Sequence, residues 1–204
     1  MENIGFVEKI KGFLFSPTET FKKLKEESLS DSLKYFVILL FIQSLLNAIV
    51  LTYLLETVWG FLASIYKNIP GFEAIYAGGS TMFFILLFVI FLVLGLIGIF
   101  ISGAIIHLGV LLFGGKRGYK ETIKAIIYGG TPGYLFGWIP FLSIIFALWA
   151  FILEIFGIKE FQDLSTGKAI AAILLPIIII FGVIMVIIVL FMFVYVTHMV
   201  GGTL

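Results

Sequence analysis

His107, His198 and Glu154 are the side chains in the long apolar stretches of this sequence whose types could carry proton chemistry. An ionisable group inside a membrane span is by default a functional-site hypothesis. His107 lies about seven residues before the basic end of its stretch, and the plainer role for it is a neutral hydrogen bond to a neighbouring helix. His198 falls at the far end of the last apolar stretch, where an interfacial role is expected. Glu154 stands just before Phe156-Gly157 and is expected to pair with Lys159 or with the basic segment at Lys116 to Lys124. A proton relay would need a second acid at similar depth, and the apolar stretches offer none.

Other chemistry finds less support. Without cysteine there is no disulfide, thiolate ligand or thiol nucleophile. Two distant histidines have no recognisable metal-ligand spacing. Gly78-Gly79-Ser80 and Ser102-Gly103 do not make a nucleophile elbow, and Gly114-Gly115-Lys116 lacks the phosphate-loop spacing. The residues imply no enzyme, no cofactor and no metal. The cations are spread over segment ends rather than gathered in a patch, so no nucleic acid is expected either.

The elements that must position these residues are membrane helices. The chain of 204 residues is 61% hydrophobic and 12% charged, with a mean hydropathy of +1.20. A soluble domain runs near 45–50% apolar and about 25% charged. The fold class that follows is all-α, a polytopic helical bundle in which the lipid bilayer is the first partner. No cleavable leader is expected, because the first thirty residues mix lysine with glutamate and hold no uninterrupted apolar run.

Residues 1–33 read as an interfacial or cytoplasmic unit. Phe6, Ile10 and Phe13 share one side of a short amphipathic helix, which the spacing turns toward the membrane surface. Ser16-Pro17-Thr18-Glu19 carries a capping-box pattern with Pro17 at the first helical position, and the next helix shows Phe21 and Leu24 on one face.

Residues 34–204 form the membrane domain, with spans expected at 35–55, 82–113, 119–138, 140–157 and 169–197. A loop is expected from 56 to 81, anchored by Trp59, Tyr66 and Tyr76. Between Ala125 and Gly157 one straight helix would be about 50 Å long. Pro132 and Pro140 would each remove a helix hydrogen bond, so the sequence predicts a short Pro/Gly-broken hairpin with its tip near Ile139-Pro140. Five spans with the N-terminus inside put twelve of the thirteen cations on the cytoplasmic side, leaving Lys67 alone outside; the C-terminus is then outside. Gly95, Gly98, Ser102 and Gly103 make a small-residue face suited to close helix packing, within the chain or in a homo-oligomer.

Taken in order, several short motifs resemble the Ypt/Rab-interacting (Yip) domain membrane proteins over nearly the whole chain. They are Phe15-Ser16-Pro17 followed by Phe21 and Leu24, His107-Leu108, Gly114-Gly115, Tyr128 with Pro132, Ile139-Pro140, and Leu164-Ser165-Thr166-Gly167-Lys168-Ala169. The resemblance implies a five-span bundle with a cytosolic N-terminus, acting in the cell membrane as a non-enzymatic organiser or partner-binding scaffold. Eukaryotic relatives bind small GTPases and one another and shape membranes. The short N-terminal segment here is similar to that of the prokaryotic members and argues against a small GTPase, leaving other membrane proteins as partners. The alternative is a small transporter or channel that uses the broken hairpin and His107.

Overall fold

The computed structural model describes residues 4–66 and 80–201. The expected outer cation Lys67, the anchor Tyr76 and the glycine pair Gly78-Gly79 lie outside the described residues.

The architecture is all-helical among those residues. Two short helices come first, α1 (Phe6–Phe15) and α2 (Pro17–Lys23), then two long ones, α3 (Leu29–Tyr66) and α4 (Ser80–Leu112). The broken hairpin follows as α5 (Tyr119–Gly129), α6 (Thr131–Phe136) and α7 (Leu142–Phe161), and α8 (Thr166–Gly201) closes the chain. Four of these, α3, α4, α7 and α8, are long and apolar enough to cross a membrane.

Three details differ from the expectations. First, α3 does not stop at Leu55 but continues through Glu56 and Trp59 to Tyr66. One glutamate and one glycine cost little in a long helix, and no proline breaks it before residue 66. Second, the segment expected to span at 119–138 is divided at Gly129-Gly130 into helices of 11 and 6 residues, with Pro132 in the first turn of the second. Proline is accepted there because the first-turn N–H groups have no helical partner. Third, the Ser16 side chain makes no cap bond. The Ser16 carbonyl instead accepts from the Thr20 hydroxyl at 2.8 Å, while the Ser16 N–H donates to Gly12, a tight helix-to-helix corner with Pro17 just inside. A reciprocal cap does form at Ser28-x-x-Asp31. The Asp31 N–H donates to Ser28 Oγ at 3.1 Å, and Ser28 Oγ donates to the Asp31 carboxylate at 2.7 Å.

Small residues let the long helices approach. Gly109 lies so close to the Ala172 carbonyl and Pro176 that no side chain fits, which joins α4 to α8. Gly95 receives Leu40 of α3, and Gly103 receives Ile123 of α5. Gly98 has open space beside it, and the Ser102 hydroxyl turns back to the Ile99 carbonyl of its own helix at 3.3 Å. The small-residue face thus serves packing within the chain at two of its four positions.

Candidate functional site

Among the described residues the polar chemistry is concentrated at one end, where α1 and α2 fold over the bundle as a cap. Its floor is aromatic. Phe13 stacks on Tyr128 with ring centres 5.1 Å apart and meets Phe21 edge-on at 4.9 Å. Phe21 in turn packs on Phe161 at 5.6 Å, and Phe6 leans on Tyr35 at 5.3 Å. Phe13 and Phe21 are fully buried, and Phe6 and Ile10 pack against the same core. This corrects the reading of Phe6, Ile10, Phe13 and Phe21 as a membrane-facing surface. The apolar stripe is real, but protein covers it rather than lipid. Pro17 is half-buried at the corner, and the large apolar side chains that α1 leaves exposed are Val7 and Phe15.

Charged groups are threaded through this floor. Lys9 shares the stripe of Phe6 and Phe13, is buried, pairs with Glu27 and lies 5.8 Å from the centres of both the Tyr35 and Tyr128 rings. The Tyr128 hydroxyl donates to the other oxygen of Glu27. Tyr35 and Thr131 share a hydrogen bond of 3.0 Å. On α5, the buried Lys124 donates to Glu121 at 3.0 Å and to the Lys25 carbonyl at 2.7 Å, and lies 4.9 Å from the centre of the Phe161 ring.

An outer ring of ion pairs joins three chain segments. Lys25 reaches Asp163 at 2.6 Å and Glu160 at 3.7 Å, and Arg117 reaches Glu26 at 3.0 Å and Asp163 at 3.5 Å. Beneath it, Gln162 accepts from the Arg117 N–H and donates to the Gly118 carbonyl and to Thr122. The end of α2, the α4–α5 loop and the α7–α8 loop therefore lie on the same end of the molecule. The hydrogen bond from Lys25, then its charge and that of Arg117, hold the Asp163 carboxyl below its usual range; Arg117 does the same for Glu26, chiefly through its hydrogen bond. A carboxyl depressed by folding stabilises the fold above its unfolded value and loses that contribution as pH falls through the folded one. Cap docking should therefore be flat from neutrality down to about pH 4.5 and weaken below about pH 4. Protease cleavage within α1–α2 across a pH series measures this. Cleavage that rises on going from pH 7 to pH 9 instead would contradict the assignment.

The intramembrane candidates separate. His107 Nδ1 bonds the Thr122 hydroxyl at 2.8 Å, and its ring meets Tyr119 edge-on at 5.5 Å. It ties α4 to α5. Glu154 forms no ion pair with Lys159 or with the basic loop among the described residues. It sits instead against the Gly129 backbone, where any side chain at 129 would collide with it. With Gln43, Tyr134 and Ser143 it lines a groove of about 380 Å³ between α3, α6 and α7, beside the Gly/Pro break. Lys159 is exposed five residues further along α7, a spacing that puts it on a different face of the helix from Glu154. His107 is not part of the groove lining, so the two ionisable groups stand apart.

Sequence reasoning missed Lys9, Glu27, Glu121, Lys124 and Gln162. Lys9 carried a signal, since it falls on the Phe6–Phe13 stripe at helical spacing. The others carried none, because their partners lie as far as 101 residues away along the chain.

The motif residues gather here as well. Phe21, Leu24, Tyr128, Leu164 and Ala169 are all buried in the core beneath the cap, and Gly115 approaches Val110 and Gln162 at its edge. Searches among curated proteins and among solved structures return no match. The Yip1 domain matches residues 11–189, most of the chain. The chain is a multi-pass membrane protein and belongs to the Yip1 domain family.

Proposed function

We propose that the protein is a non-enzymatic organiser of the cell membrane, a scaffold that binds the bilayer and other membrane proteins or a second copy of itself. The observation that carries this reading is the division of labour among the cations at the capped end. Lys9, Lys25, Arg117 and Lys124 are used internally to lock the cap. Lys11, Lys22, Lys23, Lys116, Lys120, Lys159 and Lys168 remain exposed around it. Such a rim can meet anionic headgroups, worth on the order of 1 kcal/mol per lysine near the surface. The same concentration of cations supports a cytoplasmic capped end and, with an odd number of crossings, a C-terminus outside. A small GTPase is not the favoured partner, because the apolar faces of α1 and α2 are already covered by the bundle.

The Glu154–Gln43 groove is the observation that favours a transport reading. Reconstituted vesicles discriminate. An organiser should pass no protons or ions above empty liposomes. His107→Gln should also keep folding and detergent-stable partner binding, because glutamine can still bond Thr122, a contact of about 0.6–2 kcal/mol in a membrane. A flux that is lost in His107→Gln or Glu154→Gln, with both variants folded, would replace the organiser by a transporter.

A further inference from the structure

The hydrogen bonds between α3 and the broken hairpin fix their relative depth. Tyr35 bonds Thr131, and Gln43 donates to the Gly133 carbonyl at 3.3 Å. Asp31 and Lys34, exposed and paired with each other one turn before Tyr35, mark the polar end of α3 on the capped side. From Tyr35 to Leu55 the helix has no formal charge, and Glu56 is the first charge beyond. At about 1.5 Å per residue, Tyr35 to Glu56 covers about 31 Å, the thickness of a hydrocarbon core.

The hairpin covers much less of that depth. Thr131 to Phe136 is helical and the chain then turns back before Leu142. At the same rise, Thr131 to Pro140 accounts for about 14 Å and Gly133 to Pro140 for about 10 Å. The first alignment leaves the tip about 17 Å short of Glu56, and the second leaves it about 9 Å short.

The tip has the chemistry of a buried end. Gly137-Trp138-Ile139-Pro140-Phe141 holds no charge, and Phe141 is 92% exposed. Many of its polar groups are closed on themselves. The Trp138 indole N–H donates to the Leu135 carbonyl at 2.8 Å. The N–H groups of Gly137, Ile139, Leu142 and Ser143 donate to Gly133, Phe136, Pro140 and Ile139. Irregular backbone survives in hydrocarbon only when its hydrogen bonds are met internally. In water an exposed Phe141 would gain nothing.

We infer that the α5–α7 hairpin is re-entrant: it enters from the capped side, turns near Pro140 inside the bilayer and returns without crossing. This goes beyond the organiser reading and, for its consequence, rests on it. The leaflet beneath the cap then holds α3, α4, α8 and both hairpin arms, whereas among the described residues the opposite leaflet holds α3, α4 and α8. The bare outer half of α8, exposed on every face from Ile177 to Met199, matches that thinning. A body wider in one leaflet fits a membrane that is convex on the capped side, so the partner chemistry is a curved lipid surface.

The absence of cysteine makes the test direct. Phe141→Cys, Lys159→Cys and Glu56→Cys are each reconstituted as full-length protein and exposed to an impermeant maleimide on either side. Phe141→Cys should label from neither side, about tenfold or more slower than both controls. A fluorophore attached there in detergent before reconstitution should be quenched by lipids brominated near mid-chain. Labelling of Phe141→Cys at the rate of Glu56→Cys and from the same side would make the hairpin a pair of crossings and end the proposal. The consequence has a separate readout, the protein density on small against large vesicles of one phosphatidylglycerol–phosphatidylethanolamine composition. Enrichment on small vesicles supports the wedge. Even density with a shielded Phe141 keeps the re-entrant hairpin and removes the curvature role.

Discussion

Lys124→Ala should be among the most damaging single changes in the molecule, costing about 3–5 kcal/mol of stability. The side chain is 2% exposed and answers three groups at once: the Glu121 carboxylate, the Lys25 carbonyl and the face of Phe161. Removing it strands a buried carboxylate and an orphan carbonyl, and the penalty of an unpaired buried charge exceeds what the pair itself contributes. The double change Lys124→Met with Glu121→Leu removes both charges while keeping most of the volume. It should recover the greater part of the loss, because apolar replacement of a buried pair is often neutral or better. Thermal unfolding in a mild detergent gives both values. A double variant no more stable than Lys124→Ala would show that the cost lies in lost packing on Phe161 instead.

That ion pair also shows where a sequence stops being readable. Glu121 and Lys124 are three residues apart on a helix and look like an ordinary solvated pair. Their burial depends on the cap arriving from about a hundred residues earlier, which no local pattern encodes. The large features were legible for the opposite reason. The long apolar helices, the break at Pro132 and Pro140 and the tie from His107 to a neighbouring helix follow from local hydropathy, proline geometry and the need to satisfy an imidazole placed within a span. The end of α3 was misplaced because a charge at Glu56 marks a membrane boundary but does not terminate a helix. Glu154 was assigned to Lys159 on proximity in sequence. Gly129 instead lets α5 press against the Glu154 backbone, and Glu154 lines the same groove as Gln43.

The amphipathic stripe of α1 is the instructive ambiguity, and it leads to the second large effect. Apolar residues at helical spacing state that one face avoids water without stating what covers it. In the folded chain Phe13 is wedged between Tyr128 and Phe21 with no exposed surface. Truncating a buried phenylalanine typically costs about 3–5 kcal/mol, and Phe13 is the ring that joins α1 both to Tyr128 of α5 and to Phe21 of α2. Phe13→Ala should therefore release the cap while the spanning helices stay folded. Protease sites in α1 and α2 should open, and Lys9, no longer held over Tyr35 and Tyr128, should become reactive toward amine reagents. Phe13→Leu should retain most of the protection, because it keeps an apolar body in the same pocket. Phe15→Ala should have no effect on docking, since Phe15 is 80% exposed on the far side of the helix. If lipid rather than protein covers the stripe, the ranking reverses. Protection would then survive Phe13→Ala in detergent, and the loss would appear only as weaker binding of α1 to anionic vesicles.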